Sequence, residues 1–222
     1  MAILLYCVTQ ANENVSVTEG ILDSVLQSHE FAGLRLYWSE IANPEACFAD
    51  AELMKKSASQ FQQVLRHMLS TITVLPFPFP TLLTDVAEIE DHLKAEQQLY
   101  RSTFETIGDA VQYEIVASWV ADEQADLATP VKGREYVKRR QEAAERVAAV
   151  DSKLKSVTGD SVRAWRLRQE RRVHRWFALV PRQDRERFIT SLRSARPSEG
   201  VRLRLSGPWP PGEFIAAADN GR

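Results

Sequence analysis

The chain has 222 residues, 44% of them hydrophobic, so it reads as globular, with enough apolar mass for one large core or two small ones. Its net charge is only −2, yet residues 1–129 hold 6 Lys+Arg against 19 Asp+Glu and residues 130–222 hold 22 against 11, so the first part carries −13 and the second +11. An asymmetry of that size gives the two parts different surface character and different attractions for partners, or for each other. The two cysteines, Cys7 and Cys47, lie among apolar residues without a C-x-x-C partner, which argues against a disulfide framework and for inert core thiols in a reducing, cytoplasmic setting.

Residues 2–9 are mostly apolar. They are too few for a membrane span and lack the basic flank and small-residue cleavage site of a secretion signal, so a buried first strand is expected. Ser16 with Glu19 forms a capping box ahead of Ile21, Leu22, Val25 and Leu26, which predicts a helix there; Gly33 then precedes a strand over 34–41. In residues 51–69, Met54, Ala58, Phe61, Leu65 and Met68 step by four and three, the stripe of an amphipathic helix. A strand over 71–75 is expected to stop at the prolines of 76–80. Thr84 or Asp85 then opens a helix with Val86, Ile89, Leu93, Tyr100, Phe104 and Ile107 on its face. Val111, Tyr113, Ile115, Ala117 and Trp119 alternate with mainly polar neighbours, the pattern of a half-buried strand.

The charge reverses around 121–132, an acidic stretch that ends in Pro130 and precedes Gly133. The expected domains are therefore an acidic one over 1–128 and a basic one over 129–222. Beyond the boundary, Tyr136, Ala143, Val147, Val150, Leu154 and Val157 mark one long helix, with Arg140 interrupting the stripe and Gly159 as its C-cap. A strand over 173–180, a helix over 182–192 and a strand over 201–205 follow, and no sequence repeat is apparent. Strands interspersed with helices describe an α+β protein of two small domains, the first a ferredoxin-like variant with helices on a small sheet and the second an α+β unit with a long helix.

No motif for catalysis, cofactor or metal binding emerges. His29, His67, His92 and His174 are scattered, with His67 and His92 expected at the surface, and there is no G-x-S-x-G, Walker loop or G-x-G-x-x-G. Asp85, Glu88, Glu90 and Asp91 fall near a helix start, where exposed amides favour anions, so they read as a solvated face and not as an acid/base pair. Arg163, Arg166, Arg168, Arg171, Arg172 and Arg175 interleave with Trp165 and Trp176, raw material for nucleic-acid binding. On a helix, Arg168, Arg171, Arg172 and Arg175 would share one face. Structural or protein-binding use is favoured over nucleic acid, because arginine forks match carboxylates equally well and the first part of the chain supplies them.

Near the end, Val201-Arg202-Leu203-Arg204-Leu205 alternates and runs into Ser206-Gly207-Pro208-Trp209-Pro210-Pro211. Proline has a fixed φ and no amide donor, so Pro208, Pro210 and Pro211 are expected to end the sheet ladder and hold an extended apolar corner around Trp209. Such a corner either closes the last strand on a core or faces a partner protein. Pro208, Trp209, Pro210 and Pro211, together with Phe77 and Phe79, are the candidate partner-binding residues.

The Gly207-Pro208-Trp209-Pro210-Pro211 run after an alternating strand resembles the C-terminal signature of the GvpL/GvpF family of gas vesicle proteins. Gly133-Arg134-Glu135-Tyr136-Val137-Lys138-Arg139-Arg140 is similar to the start of the family's long central helix. Thr73-Val74-Leu75-Pro76-Phe77-Pro78-Phe79-Pro80-Thr81 is similar to its strand and turn, with Pro78 and Pro80 where arginine and glycine are usual, and Leu4-Leu5-Tyr6 suits its first strand. Past the last proline, Gly212-Glu213 stands where the family usually has Tyr-Ser. The resemblance spans nearly the whole chain. It implies a modified ferredoxin-like N-terminal domain, a second α+β unit, and a non-enzymatic accessory or minor structural protein of gas vesicle assembly. The implied partners are the major shell protein and other gas vesicle accessory proteins, with neither membrane nor cofactor, and the implied location is the cytoplasm and the gas vesicle.

Overall fold

The computed structural model describes residues 1–13, 15, 17–119, 133–169, 173–195 and 200–215. By their contacts they separate into two units, Met1–Val111 with Trp209–Arg222, and Gln112–Pro208. The boundary expected at 128/129 lies outside the described residues. The division by contacts falls after Val111, and the chain returns to the first unit at Trp209.

In the first unit, β1 (Ala2–Gln10) is buried throughout residues 3–9, as its unbroken apolar run requires. It lies in an antiparallel sheet of order β2 (Gln27–Phe31), β3 (Leu34–Ile41), β1, β4 (Leu75–Pro76), with β5 (Leu82–Leu83) also pairing with β1. Helix α1 (Pro44–Ala49) and the long α2 (Ala51–Leu69) connect β3 to β4, and α3 (Ala87–Ile107) follows β5. The order β4-β1-β3-β2 is that of a βαββαβ ferredoxin-like sheet in which the first crossover has lost its helix.

The missing helix is the one predicted from Ser16 and Glu19. Ser16 lies outside the described residues, and Ile21–Asp23 forms only a single 3-10 turn in which Leu22 and Asp23 take positive φ. The cause is tertiary. The hydroxyl of fully buried Tyr6 accepts the amide N–H of Ile21 at 2.8 Å and lies 2.9 Å from Ser39 Oγ, so β1 holds the segment as a loop. Gly20 passes so close that an added Cβ would lie 2.6 Å from that hydroxyl. Strand β2, unmarked by any apolar alternation, forms by pairing with β3 across an Ala32-Gly33 turn whose two residues both have positive φ, and Arg35 closes an ion pair on Glu30.

Helix α2 has the predicted bounds. Asp50 caps it by accepting the N–H of Leu53 at 2.8 Å, and Phe61, Val64, Leu65, Met68 and Leu69 are buried. Cys7 is buried against Met68, its Sγ 3.7 Å from Sδ, and burial pushes its thiol pKa up; Cys47 is half-buried, more open than a core thiol. Residues 72–74 are buried but add no ladder, so the strand expected over 71–75 shortens to β4.

The second unit is built around β6 (Ala110–Trp119), α4 (Arg134–Thr158), β7 (Ala164–Gln169), β8 (His174–Pro181), α5 (Arg185–Ser194) and β9 (Val201–Trp209), with sheet order β7-β8-β6-β9. Both units thus share one strand order, a likeness with no counterpart in sequence repetition. On β6, Val111, Tyr113, Ile115, Ala117 and Trp119 are buried as predicted. Val147, Val150 and Leu154 of α4 are buried, the predicted stripe position Tyr136 has a side chain outside the described residues, and the helix ends where the Gly159 N–H reaches the Lys155 carbonyl.

Strand β9 continues four residues past Leu205, through Ser206, Gly207 and Pro208 to Trp209. Proline was expected to end the ladder at 208. It does not: β9 is the edge strand of its sheet, the place where proline is tolerated within a ladder.

Candidate functional site

The prolines of 76–80 leave a distinctive mark on the first sheet. Phe77 donates its N–H to the Tyr6 carbonyl at 2.9 Å, and Leu5 donates to the Thr81 carbonyl at 3.0 Å. Between these two bonds Pro78, Phe79 and Pro80 leave the edge of β1, and the Thr81 hydroxyl ties back to the Pro78 carbonyl at 2.6 Å. The Phe79 ring lies 5.0 Å from Phe61 of α2 and edge-on to Phe48 at 5.7 Å, and Phe61 in turn stacks on Tyr6 at 5.2 Å. A chain of rings therefore runs from the core to the surface.

Here the end of the chain arrives. Trp209 and Pro210 are half-buried and line a cavity of about 280 Å³ with Pro76, Phe77 and Phe79 on one wall and Ala58, Phe61, Gln62, Leu65 and Arg66 of α2 on another. The short Ala58 side chain leaves the space open. Arg66 is the one charged side chain of the lining, its guanidinium 6.0 Å from the centroid of the Trp209 ring.

Of the six residues singled out in the sequence, Phe77, Phe79, Trp209 and Pro210 converge on this groove. Pro211 is buried beside it with Phe214, while Pro208 is half-buried and outside the lining. The corner closes on a core through buried Pro211 and Phe214, while Trp209 and Pro210 stay half-buried along the groove. Sequence reasoning missed the α2 wall and Arg66; the signal was present in the Ala58, Phe61, Leu65 stripe, whose flank these residues form.

Behind the groove, Phe77 packs against His92 at 5.4 Å, and a His92 ring nitrogen lies 2.7 Å from the Tyr100 hydroxyl. His92 is accordingly half-buried and not the surface residue expected; burial lowers its pKa and raises that of Tyr100. His67 is exposed, as expected.

The arginine run folds differently from its helical reading. Arg166 and Arg168 lie on β7 and Arg175 on β8, with Arg168 directly opposite Arg175 and Arg166 opposite Phe177; Arg171 and Arg172 lie outside the described residues. Arg175 pairs with Glu114 of β6, which also accepts the Ser206 hydroxyl at 3.1 Å. Trp165 and Trp176 point to the other face, where Trp176 Nε1 donates to Asp151 of α4 at 3.1 Å and Trp165 lies 6.5 Å from Phe188 of α5. Strand alternation has separated Arg166, Arg168 and Arg175 from the two rings, while Arg163 precedes β7. Among the described residues, no group of three or more His, Cys, Asp or Glu is arranged to hold a metal ion, and no helix is long and apolar enough to cross a membrane.

Comparison with known proteins gives the fold a context. The crystal structure of gas vesicle protein GvpF from Anabaena sp. PCC7120 superposes with a TM-score of 0.71 at 14% identity, covering 97% of this chain and 98% of that one. GvpF from Microcystis aeruginosa superposes with a TM-score of 0.74 at 13% identity, covering 97% and 99%. No curated protein matches in sequence. The family described as Gas vesicle synthesis protein GvpL/GvpF matches residues 2–216. With nearly the whole length matched in sequence pattern and the same fold found in the two GvpF structures, the chain belongs to the GvpL/GvpF family of gas vesicle proteins.

Proposed function

We propose that this protein is an accessory and minor structural component of gas vesicle assembly that acts in the cytoplasm as a chaperone-like adaptor, holding the major shell protein through the groove beside Trp209. The observation that carries this reading is the convergence of segments far apart in sequence, 58–66, 76–79 and 209–210, on one apolar surface. A shell subunit that must leave water for a gas-facing wall exposes apolar surface beforehand, and a preformed aromatic groove covers such surface at little ordering cost. The lining holds no nucleophile and no acid/base pair, its polar side chains being Gln62 and Arg66, which favours binding over catalysis. Other accessory proteins of the same assembly are the natural further partners.

Nucleic-acid binding through the arginine hairpin has less support, because the rings needed for base stacking lie on the helix-covered face, away from Arg166, Arg168 and Arg175. Co-expression of the tagged chain with the shell protein tests the main reading. Phe79→Ser and Trp209→Ala are expected to lower its recovery, and recovery equal to wild type by variants that retain their melting transition would refute it.

A further inference from the structure

Resting on the reading that the groove binds a partner, we propose that the element seated in it is an amphipathic helix bearing one carboxylate beside its apolar stripe, and that this carboxylate pairs with Arg66.

The backbone around the groove selects a helix over a strand. A partner strand added to the rim would need a row of amide donors there, but positions 76, 78 and 80 are prolines and the Phe77 N–H is already given to Tyr6, which leaves the Phe79 N–H alone along 76–80, too little for a ladder. The opposite wall is α2, whose backbone groups are engaged within the helix. Recognition falls mainly to side chains, the situation in which an amphipathic helix lays apolar residues at i, i+3 or i+4 into a groove. Phe61, Leu65, Phe79 and Trp209 supply the apolar seat.

Arg66 specifies the charge. It is exposed, its guanidinium stands 6.0 Å over the Trp209 ring centroid, and it makes no ion pair among the described residues, while no acidic side chain lines the cavity. A guanidinium held near a ring keeps N–H groups free in the fork that suits a carboxylate. A single carboxylate fits better than an acidic helix, because residues 1–129 carry −13 and would repel a strongly acidic partner.

The test uses the full chain co-expressed with the major shell protein. Arg66→Glu is expected to reduce recovery about tenfold or more, the worth of one charge-assisted pair. Lysine substitution of one shell-protein carboxylate is then expected to restore recovery with Arg66→Glu, and a synthetic peptide spanning that carboxylate to gain helical ellipticity on binding. Wild-type recovery by Arg66→Glu, failure of every carboxylate swap to rescue, or a bound peptide that stays extended would each overturn the inference. If Phe79→Ser reduces recovery while Arg66→Glu does not, the groove still binds the shell protein and only this inference falls. If neither variant changes recovery, the reading of the groove itself falls.

Discussion

Removing the Tyr6 hydroxyl tests whether a single buried group decides the fold of the segment after β1. Tyr6→Phe keeps the ring and its 5.2 Å stacking on Phe61, so packing is preserved and only hydrogen bonding changes. Two partners are stranded: the Ile21 N–H, in a residue with no exposed surface, and the hydroxyl of Ser39, also fully buried. Each buried group left without a partner costs roughly 1–3 kcal/mol, and the Ser39 hydroxyl recovers part of this by rotating, so a total loss of about 2–4 kcal/mol is expected. That is a sizeable share of the roughly 5–15 kcal/mol that holds a domain together. Urea denaturation of wild type, Tyr6→Phe, Ser39→Ala and the double variant measures the loss, and amide hydrogen exchange at Ile21 locates it. The double variant should lose less than the two single losses added, because the two hydroxyls are in contact. A Tyr6→Phe loss below about 0.5 kcal/mol, the range of ordinary surface changes, with the Ile21 amide still protected, would refute the assignment of this loop to Tyr6.

Three further outcomes are expected. Gly207 has φ +127°, and an added Cβ would lie 2.9 Å from the Gln112 carbonyl oxygen and from the Tyr113 ring, so Gly207→Ala should cost about 2–4 kcal/mol through backbone strain and overpacking; a melting temperature within a degree or so of wild type would contradict this. His92 has its pKa lowered by burial, so below its ordinary value of 6.5 the unfolded chain takes up a proton that the folded chain resists, and stability falls as pH drops through 6.5. Thermal melts at pH 7.5 and 5.5 should therefore differ less in His92→Phe than in wild type, and an equal drop in both would exclude His92 as a source. Asp50→Ala removes the cap on Leu53 and should cost about 1 kcal/mol in denaturant, with an unchanged midpoint as the contrary result.

The groove was half legible before folding. Phe77, Phe79, Trp209 and Pro210 stand out because prolines alternating with aromatics are conspicuous in any sequence. Arg66 does not, because an arginine on the polar flank of an amphipathic helix looks like any solvated charge until Trp209 is laid against it. The arginine run misleads for a related reason. Its face depends on whether the local period is 3.6 or 2, and the pairing of β7 with β8, not the arginines, settles that.

By itself the sequence determined the elements whose side-chain pattern is strong: α2, α3, α4, and β1 and β6. It also determined the family, through a terminal motif with few alternatives. The tertiary structure alone decided the rest. Tyr6 and Ser39 turn a capping-box segment into a loop, position at the sheet edge lets β9 run through Pro208, and convergence of three distant segments makes a groove. In each case the deciding partner lies far along the chain, and local pattern carries no information about a contact whose other half is elsewhere.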